Sequence, residues 1–199
     1  VLATGLFERS RLSPDGRLMA LNVDGGGDDW VEILDLASGV PTRLTFSGDA
    51  HNHAWGPNGE RLLVERDRAA EIWSASGTLI ETLPMSPVGH LDWSPDGNKI
   101  VYVSSGTFFG PLRVFDLESR SDSPLESGDS AFPRFSPDGK FVAFHQVMSG
   151  GPAVYIRRSD GSGSKRQLSL GADEGSDPVW ARDGSSLFML VRAPLSVFE

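Results

Sequence analysis

An all-β fold, a β-propeller of about five four-stranded blades closed by an N-terminal strand, is what this sequence predicts, and three observations predict it. The tetrapeptide Ser-Pro-Asp-Gly stands at residues 13–16, 94–97 and 136–139, and returns in worn form as Gly-Pro-Asn-Gly at 56–59 and Ala-Arg-Asp-Gly at 181–184. The third residues of these turns, Asp15, Asn58, Asp96, Asp138 and Asp183, follow one another at intervals of 43, 38, 42 and 45 residues. Each turn is followed by short runs rich in β-branched and aromatic residues, and helical periodicity is absent.

The elements of one unit can be read in order. The first strand runs into the turn and reaches it on an apolar or aromatic residue: Leu12, Trp55, Trp93, Phe135 and Trp180 share one register. In the turn, proline presets φ for the first central position of a type I turn, and glycine takes the left-handed conformation of a G1 bulge. The turn therefore closes a hairpin, and its recurrence is a folding device rather than a repeated active site. Second strands follow at once, as in "RLLVERD" and "KIVYVSS", and third strands after a variable loop, as in "VEILDL" and "LRVFDL". A fourth, short strand ends near a recurring leucine: Leu44, Leu83, Leu125 and Leu168.

These runs delimit a single domain over 1–199, with units at about 7–46, 50–85, 88–127, 131–170 and 176–199, the last completed by 1–4. The completion rests on phase. Leu2 precedes Asp15 by 13 residues, as Leu83 precedes Asp96 and Leu125 precedes Asp138. An N-terminal outer strand added to three C-terminal strands would leave that blade no exposed edge.

Composition bounds the function classes. A chain of 199 residues with 39% apolar residues can bury a sizeable core. It carries a net charge of -9, has no cluster of lysine and arginine and no cysteine, so neither nucleic-acid binding nor a disulfide framework is expected. No run approaches the ~18 apolar residues of a membrane span, and membrane insertion is not expected. A nucleophile elbow, H-E-x-x-H, a P-loop and a dinucleotide fingerprint are all missing, which removes serine-hydrolase and nucleotide chemistry from within these residues.

The units "HLDWSPDGNKIVYVS" (90–104) and "DPVWARDGSSLFML" (177–190) resemble the PD40, or WD40-like, repeats of TolB-type β-propellers, and the resemblance covers the whole chain. It implies a propeller that serves as a partner-binding domain, as the gating domain of a prolyl-oligopeptidase-type peptidase, or as part of a larger sensor. It also implies an extracytoplasmic location, periplasmic or secreted. TolB-type relatives usually carry six blades, against the five units counted here. Fold alone does not choose among these roles.

Candidate residues follow from the phase of the repeats. Phe108 and Phe109 lie together in a glycine-flanked loop, on the same face as the loop from Asn22 to Trp30. Exposed aromatics of this kind anchor protein or peptide partners; packing over the neighbouring blade is the alternative. His51, His90, Arg134 and Asp177 fall in innermost strands near the channel and would orient polar groups of the partner, with Trp30 beside them. With Arg9, Arg11 and Asp92 they suit a wet tunnel, a peptide terminus, or internal pairing between blades.

Two metal sets are candidates, although no cofactor is expected. His51, His53 and His90 begin neighbouring inner strands, and strict alternation places His51 and His53 on one side with Asp49 just before, a donor set for Zn²⁺. In the alternative, His53 packs between sheets as Pro133 and Pro178 do, and His51 and His90 are solvated. Asp24, Asp28 and Asp29 offer oxygens to Ca²⁺, or simply solvate a mobile loop. His145 reads as a half-buried sheet residue. The function these readings favour is a non-catalytic scaffold that binds a protein or peptide. The competing readings are a gating propeller for a hydrolase domain, a small metal-dependent hydrolase using the histidines, and a purely structural ring.

Overall fold

The computed structural model describes residues 7–26, 28–85, 88–105, 107–149, 151–168 and 174–192, and these contain seventeen strands and no helix. The first sheet is the meander β1 (Phe7–Leu12), β2 (Leu18–Val23), β3 (Trp30–Asp35) and β4 (Pro41–Arg43). The second repeats it with β5 (Ala50–Trp55), β6 (Arg61–Arg66), β7 (Ala69–Ser74) and β8 (Leu79–Thr82). The third unit comprises β9 (Leu91–Trp93), β10 (Lys99–Val103), β11 (Gly110–Asp116) and the first part of β12 (Ser121–Phe135). The rest of β12 begins the fourth, with β13 (Phe141–Met148), β14 (Gly151–Arg158) and β15 (Arg166–Gln167), so that seven strands form one sheet. A pair, β16 (Glu174–Trp180) and β17 (Leu187–Arg192), represents the fifth unit. The proposed closing strand at 1–4 and the third strand of the fifth unit lie outside the described residues.

Burial explains why the second strands are apolar throughout instead of alternating. The second and third sheets are covered on both faces by their neighbours, and the three cores among the described residues are the spaces between the first four successive units. Leu62 and Val64 face one way, into a core with Ala20, Val31, Ile33 and Leu44 of the first unit. Leu63, between them, faces the other way, into a core with Leu91, Ile100 and Tyr102 of the third. Val101 and Val103 then meet Val142, Phe144 and Tyr155 of the fourth. Because strand side chains alternate, one short run serves two interfaces. Each fully buried side chain of this kind contributes about 1.5–3 kcal/mol. The recurring leucines Leu44, Leu83 and Leu125 are buried as expected.

The five turns have the predicted geometry. Their glycines hold φ between 71° and 78°, and each glycine amide donates to the carbonyl three residues earlier at 2.8–3.0 Å. In the three full copies the serine hydroxyl donates to the aspartate carboxylate at 2.6–2.7 Å. That bond, with a backbone amide, holds Asp15 and Asp138 below the usual carboxylate range. The structure adds a contact between units. A Cβ placed on Gly97 would lie 3.3 Å from Pro57, and the equivalent positions of Gly59, Gly139 and Gly184 abut Pro14, Pro95 and Pro137. The glycine of one turn thus packs against the proline of the turn before it.

Candidate functional site at the two ends of the channel

The inner strands β1, β5 and β16, and the last part of β12 that serves as the inner strand of the fourth unit, each carry one extra residue, a β-bulge opposite the second strand. A bulge re-aims the side chains that follow it. Counting six residues back from the third residue of each turn gives Arg9, Asn52, His90, Phe132 and Asp177. Four of these meet. His90 Nδ1 lies 3.2 Å from the Arg9 guanidinium and 3.1 Å from Asn52 Oδ1, and its ring centroid is 4.4 Å from that of Phe132. Asn52 in turn donates to Glu65 at 2.8 Å. Phe132 and Asp177 both hold positive φ, 52° and 50°, at their bulges.

This polar layer floors a cavity of about 590 Å³ at the loop end, lined by His90, Glu65, Asp49, His51, Arg68 and Phe108 among others. His90 is only 3% exposed and its Nε2 has no hydrogen-bond partner. Burial first, then the charges of Arg9, Arg134 and Arg11, hold its pKa down at about 2, so the ring is neutral. Burial of Glu65 raises its pKa above the usual value, against the hydrogen bond from Asn52. Phe108 stands edge-on to His90 at 4.5 Å and to Phe132 at 5.2 Å, and Phe109 packs on Phe108 at 4.8 Å. The two phenylalanines remain 50% and 36% exposed. Exposed Val147 and Met148, at the tip of the β13–β14 hairpin, are on the same end.

At the opposite end a second cavity, about 840 Å³, is lined from all five repeats by the turn prolines, by Trp55, Trp93 and Trp180, and by the guanidinium groups of Arg11 and Arg134. Arg11 donates to Asp92 at 2.8 Å, and Arg134 to Asp177 at 3.4 Å. The internal pairing considered for these residues is therefore present.

The predicted site residues divide accordingly. His51, His90 and Phe108 line the loop-end cavity, whereas Arg134 and Asp177 line the other, and Arg9 reaches both. Trp30 stands apart beneath Arg43, 4.2 Å from the guanidinium carbon to the ring centroid. The placement of His51 and His53 on one side of their strand needs correction, because the bulge between Ala50 and Asn52 breaks the alternation. His51 is exposed, while His53 is buried with neither ring nitrogen hydrogen-bonded, its pKa held down at about 3 by burial and by Arg11 and Arg9. His90, expected to be solvated if no metal engaged it, is buried too. His51, His53 and His90 consequently do not converge. His145 is buried rather than half-buried.

Asp24 spends a carboxylate oxygen on the amide of Gly26, and Asp29 one on that of Gly25. Among the described residues, the donor atoms that do converge belong to Asp29, Asp49 and His51, within 4.8 Å of one another. His51 is 3.0 Å from Asp49 and 3.6 Å from Asp29. Asn52, Glu65 and Phe132 were not candidates from sequence, although the count of six from each turn marks two of them.

Comparison with known proteins was consistent with this architecture. The family model described as eukaryotic translation initiation factor eIF2A matches residues 37–148. An uncharacterised protein of Agrobacterium fabrum is 26% identical over 81% of this chain and 58% of its own length. A TolB homologue of Chlorobium chlorochromatii is 32% identical over 47% of this chain and 22% of its own, and an uncharacterised peptidase of Bacillus subtilis 30% over 50% and 16%. The chain thus spans less than two thirds of these curated relatives. Among solved structures, one from Agrobacterium tumefaciens described as TolB superposes with a TM-score of 0.81 at 24% identity, covering 99% of this chain and 73% of its own.

Proposed function

The chain belongs to the WD40-like propeller family whose model is described as eukaryotic translation initiation factor eIF2A, and from that premise we propose that it is a TolB-like, non-catalytic scaffold that binds a protein or peptide at its loop end. The observation that carries this reading is the pair Phe108 and Phe109, partly exposed yet braced, Phe108 by His90 and Phe132 and Phe109 by Phe108 and His145. Aromatic side chains held in place before binding lose little conformational freedom on contact, which is what a hot spot requires. The surrounding cavity, with Asp49, Glu65, His51 and Arg68, supplies polar groups to orient the partner.

The partner in this reading is not a nucleic acid: the chain carries a net charge of -9 and no run of lysine and arginine along its sequence. No helix among the described residues is long and apolar enough to cross a membrane. The resemblance to TolB supports an extracytoplasmic setting. Affinity capture from the source organism tests the proposal: replacing Phe108 and Phe109 with serine should abolish recovery of the partner at an unchanged melting temperature. A large loss of stability would instead make both residues core.

A second reading, a gating propeller for a hydrolase domain, is supported by the similarity to the Bacillus subtilis peptidase. The mass of the native parent polypeptide, detected by antibody, separates the two. A band near 21.4 kDa leaves only the scaffold, and a much larger one directs attention to the added domain.

A further inference from the structure

The turn-end cavity has a charge balance opposite to that of the whole chain. Among the described residues its lining includes Arg9, Arg11, Arg134 and Arg182 and one carboxylate, Asp177. The other acidic group facing them, Asp92, is committed: one oxygen accepts from Arg11 at 2.8 Å and the second from the amide of Phe135 at 2.9 Å. Arg134 is compensated only in part. Of its five N–H donors it spends one on the neighbouring carbonyl of Pro133 at 2.9 Å and one on Asp177 at 3.4 Å, a long contact to a half-exposed partner. Its own side chain is largely buried, 15% exposed. Burial and repulsion from Arg11 bring its pKa down to about 9, against the pull of Asp92 and Asp177. The guanidinium is thus held where a further negative charge would stabilise it.

The walls around these cations are apolar, formed by the indoles of Trp55, Trp93 and Trp180 and by the turn prolines. A volume of about 840 Å³ exceeds what a bare ion needs and falls in the range of small-molecule sites. Indole and proline walls together with guanidinium groups complement a molecule with an apolar body and one anionic end. Planar guanidinium groups match a carboxylate in particular, since two N–H bonds can run parallel to its two oxygens.

We propose that the turn-end cavity is a carboxylate-binding site, in which Arg134 and Arg11 hold the anionic end of an organic acid and the tryptophan and proline walls hold its apolar body. The acid is either a free molecule or the C-terminus of a peptide; the chemistry at the arginines is the same. This site lies at the opposite end of the channel from Phe108 and Phe109 and is independent of partner binding there.

Titration of tryptophan fluorescence with N-acetyl-leucine and with N-acetyl-leucinamide tests the proposal directly. The acid should give a saturable change that weakens as salt is raised, and the amide should give none. Arg134→Gln should weaken binding of the acid at least tenfold. Arg182→Gln, a change at an exposed turn residue that leaves the fold intact, should weaken it about threefold and keeps the test valid if the first variant fails to fold. The peptide N-acetyl-Ala-Ala-Leu, compared with the single amino acid, separates the sources: tighter binding assigns a peptide C-terminus, weaker binding a free acid. Equal responses to acid and amide, no response to either, or unchanged affinity in folded variants would overturn the site.

Discussion

The two ends of the channel are built on opposite plans. At the turn end five copies of one turn stand side by side, four of their glycines against the proline of the turn before, and the cavity they enclose is lined by arginine and tryptophan. At the loop end no two connections are alike, and the cavity contains Asp49, Glu65 and Asp67 against Arg9 and Arg68. Repetition marks the end where each unit must fit the next. Individuality marks the end where the repeat is under no such constraint, and loops there can acquire binding residues without disturbing the stack.

The contrast can be broken most severely in the aromatic register. Trp93→Ala, at the turn end and 8% exposed, should cost about 3–5 kcal/mol in chemical denaturation. Phe109→Ala at the loop end should cost less than about 1 kcal/mol, as expected for a half-exposed side chain. Comparable losses would mean that the loop end is as structural as the turns.

Next in size is a pH effect from the buried layer between the two ends. His53 has a folded pKa of about 3, against 6.5 for the ordinary group. Its contribution is therefore complete above pH 6.5 and is lost as pH falls toward 3, at about 1.4 kcal/mol per pH unit. His53→Leu should flatten the decline in denaturant midpoint between pH 6.5 and 4.5 to that extent. Glu65 acts in the other direction. Its raised pKa means stability declines as pH rises from about 4.5 through the folded value, and Glu65→Gln should remove that decline.

A finer distinction lies within the turns. Gly16 and Gly97 share a positive φ, but a Cβ on Gly16 meets nothing within 4 Å whereas one on Gly97 meets Pro57. Gly16→Ala should cost about 1–2 kcal/mol for the backbone alone, and Gly97→Ala measurably more. Identical values would show that the proline contact yields freely. The smallest effect is expected at Asp29, Asp49 and His51, where added Zn²⁺ should leave the melting temperature unchanged. A rise that His51→Ala cancels would identify a cation site instead.

The turns, the recurring leucines and the four-strand order were legible because each depends on local chemistry: φ at proline and glycine, and alternation along a strand. Of the two readings open for the histidines, packing of His53 between sheets holds: one bulge between Ala50 and Asn52 turns His51 outward and leaves His53 inward, and a bulge leaves no trace in residue type. Asn52 and Glu65 looked like ordinary strand residues; only their shared hydrogen bond, across 13 residues, gives them a role. The exposure of Phe108 and Phe109 was readable from their glycine-flanked loop. That His90 and Phe132 brace Phe108 was not, since those contacts join three different strands or loops.

The fifteen-residue strand β12 has a mechanical consequence. Where the first and second units are joined by residues 44–49, which belong to neither sheet, Ser130 pairs with Gly110 on one side and Gln146 on the other. The third and fourth units therefore share a continuous hydrogen-bonded ladder and have no hinge between them. Opening either must tear the other, so the two should exchange their amide protons as one block. Any breathing of the molecule is thrown onto the remaining seams, and the stiff half is the one that carries Phe108 and Phe109.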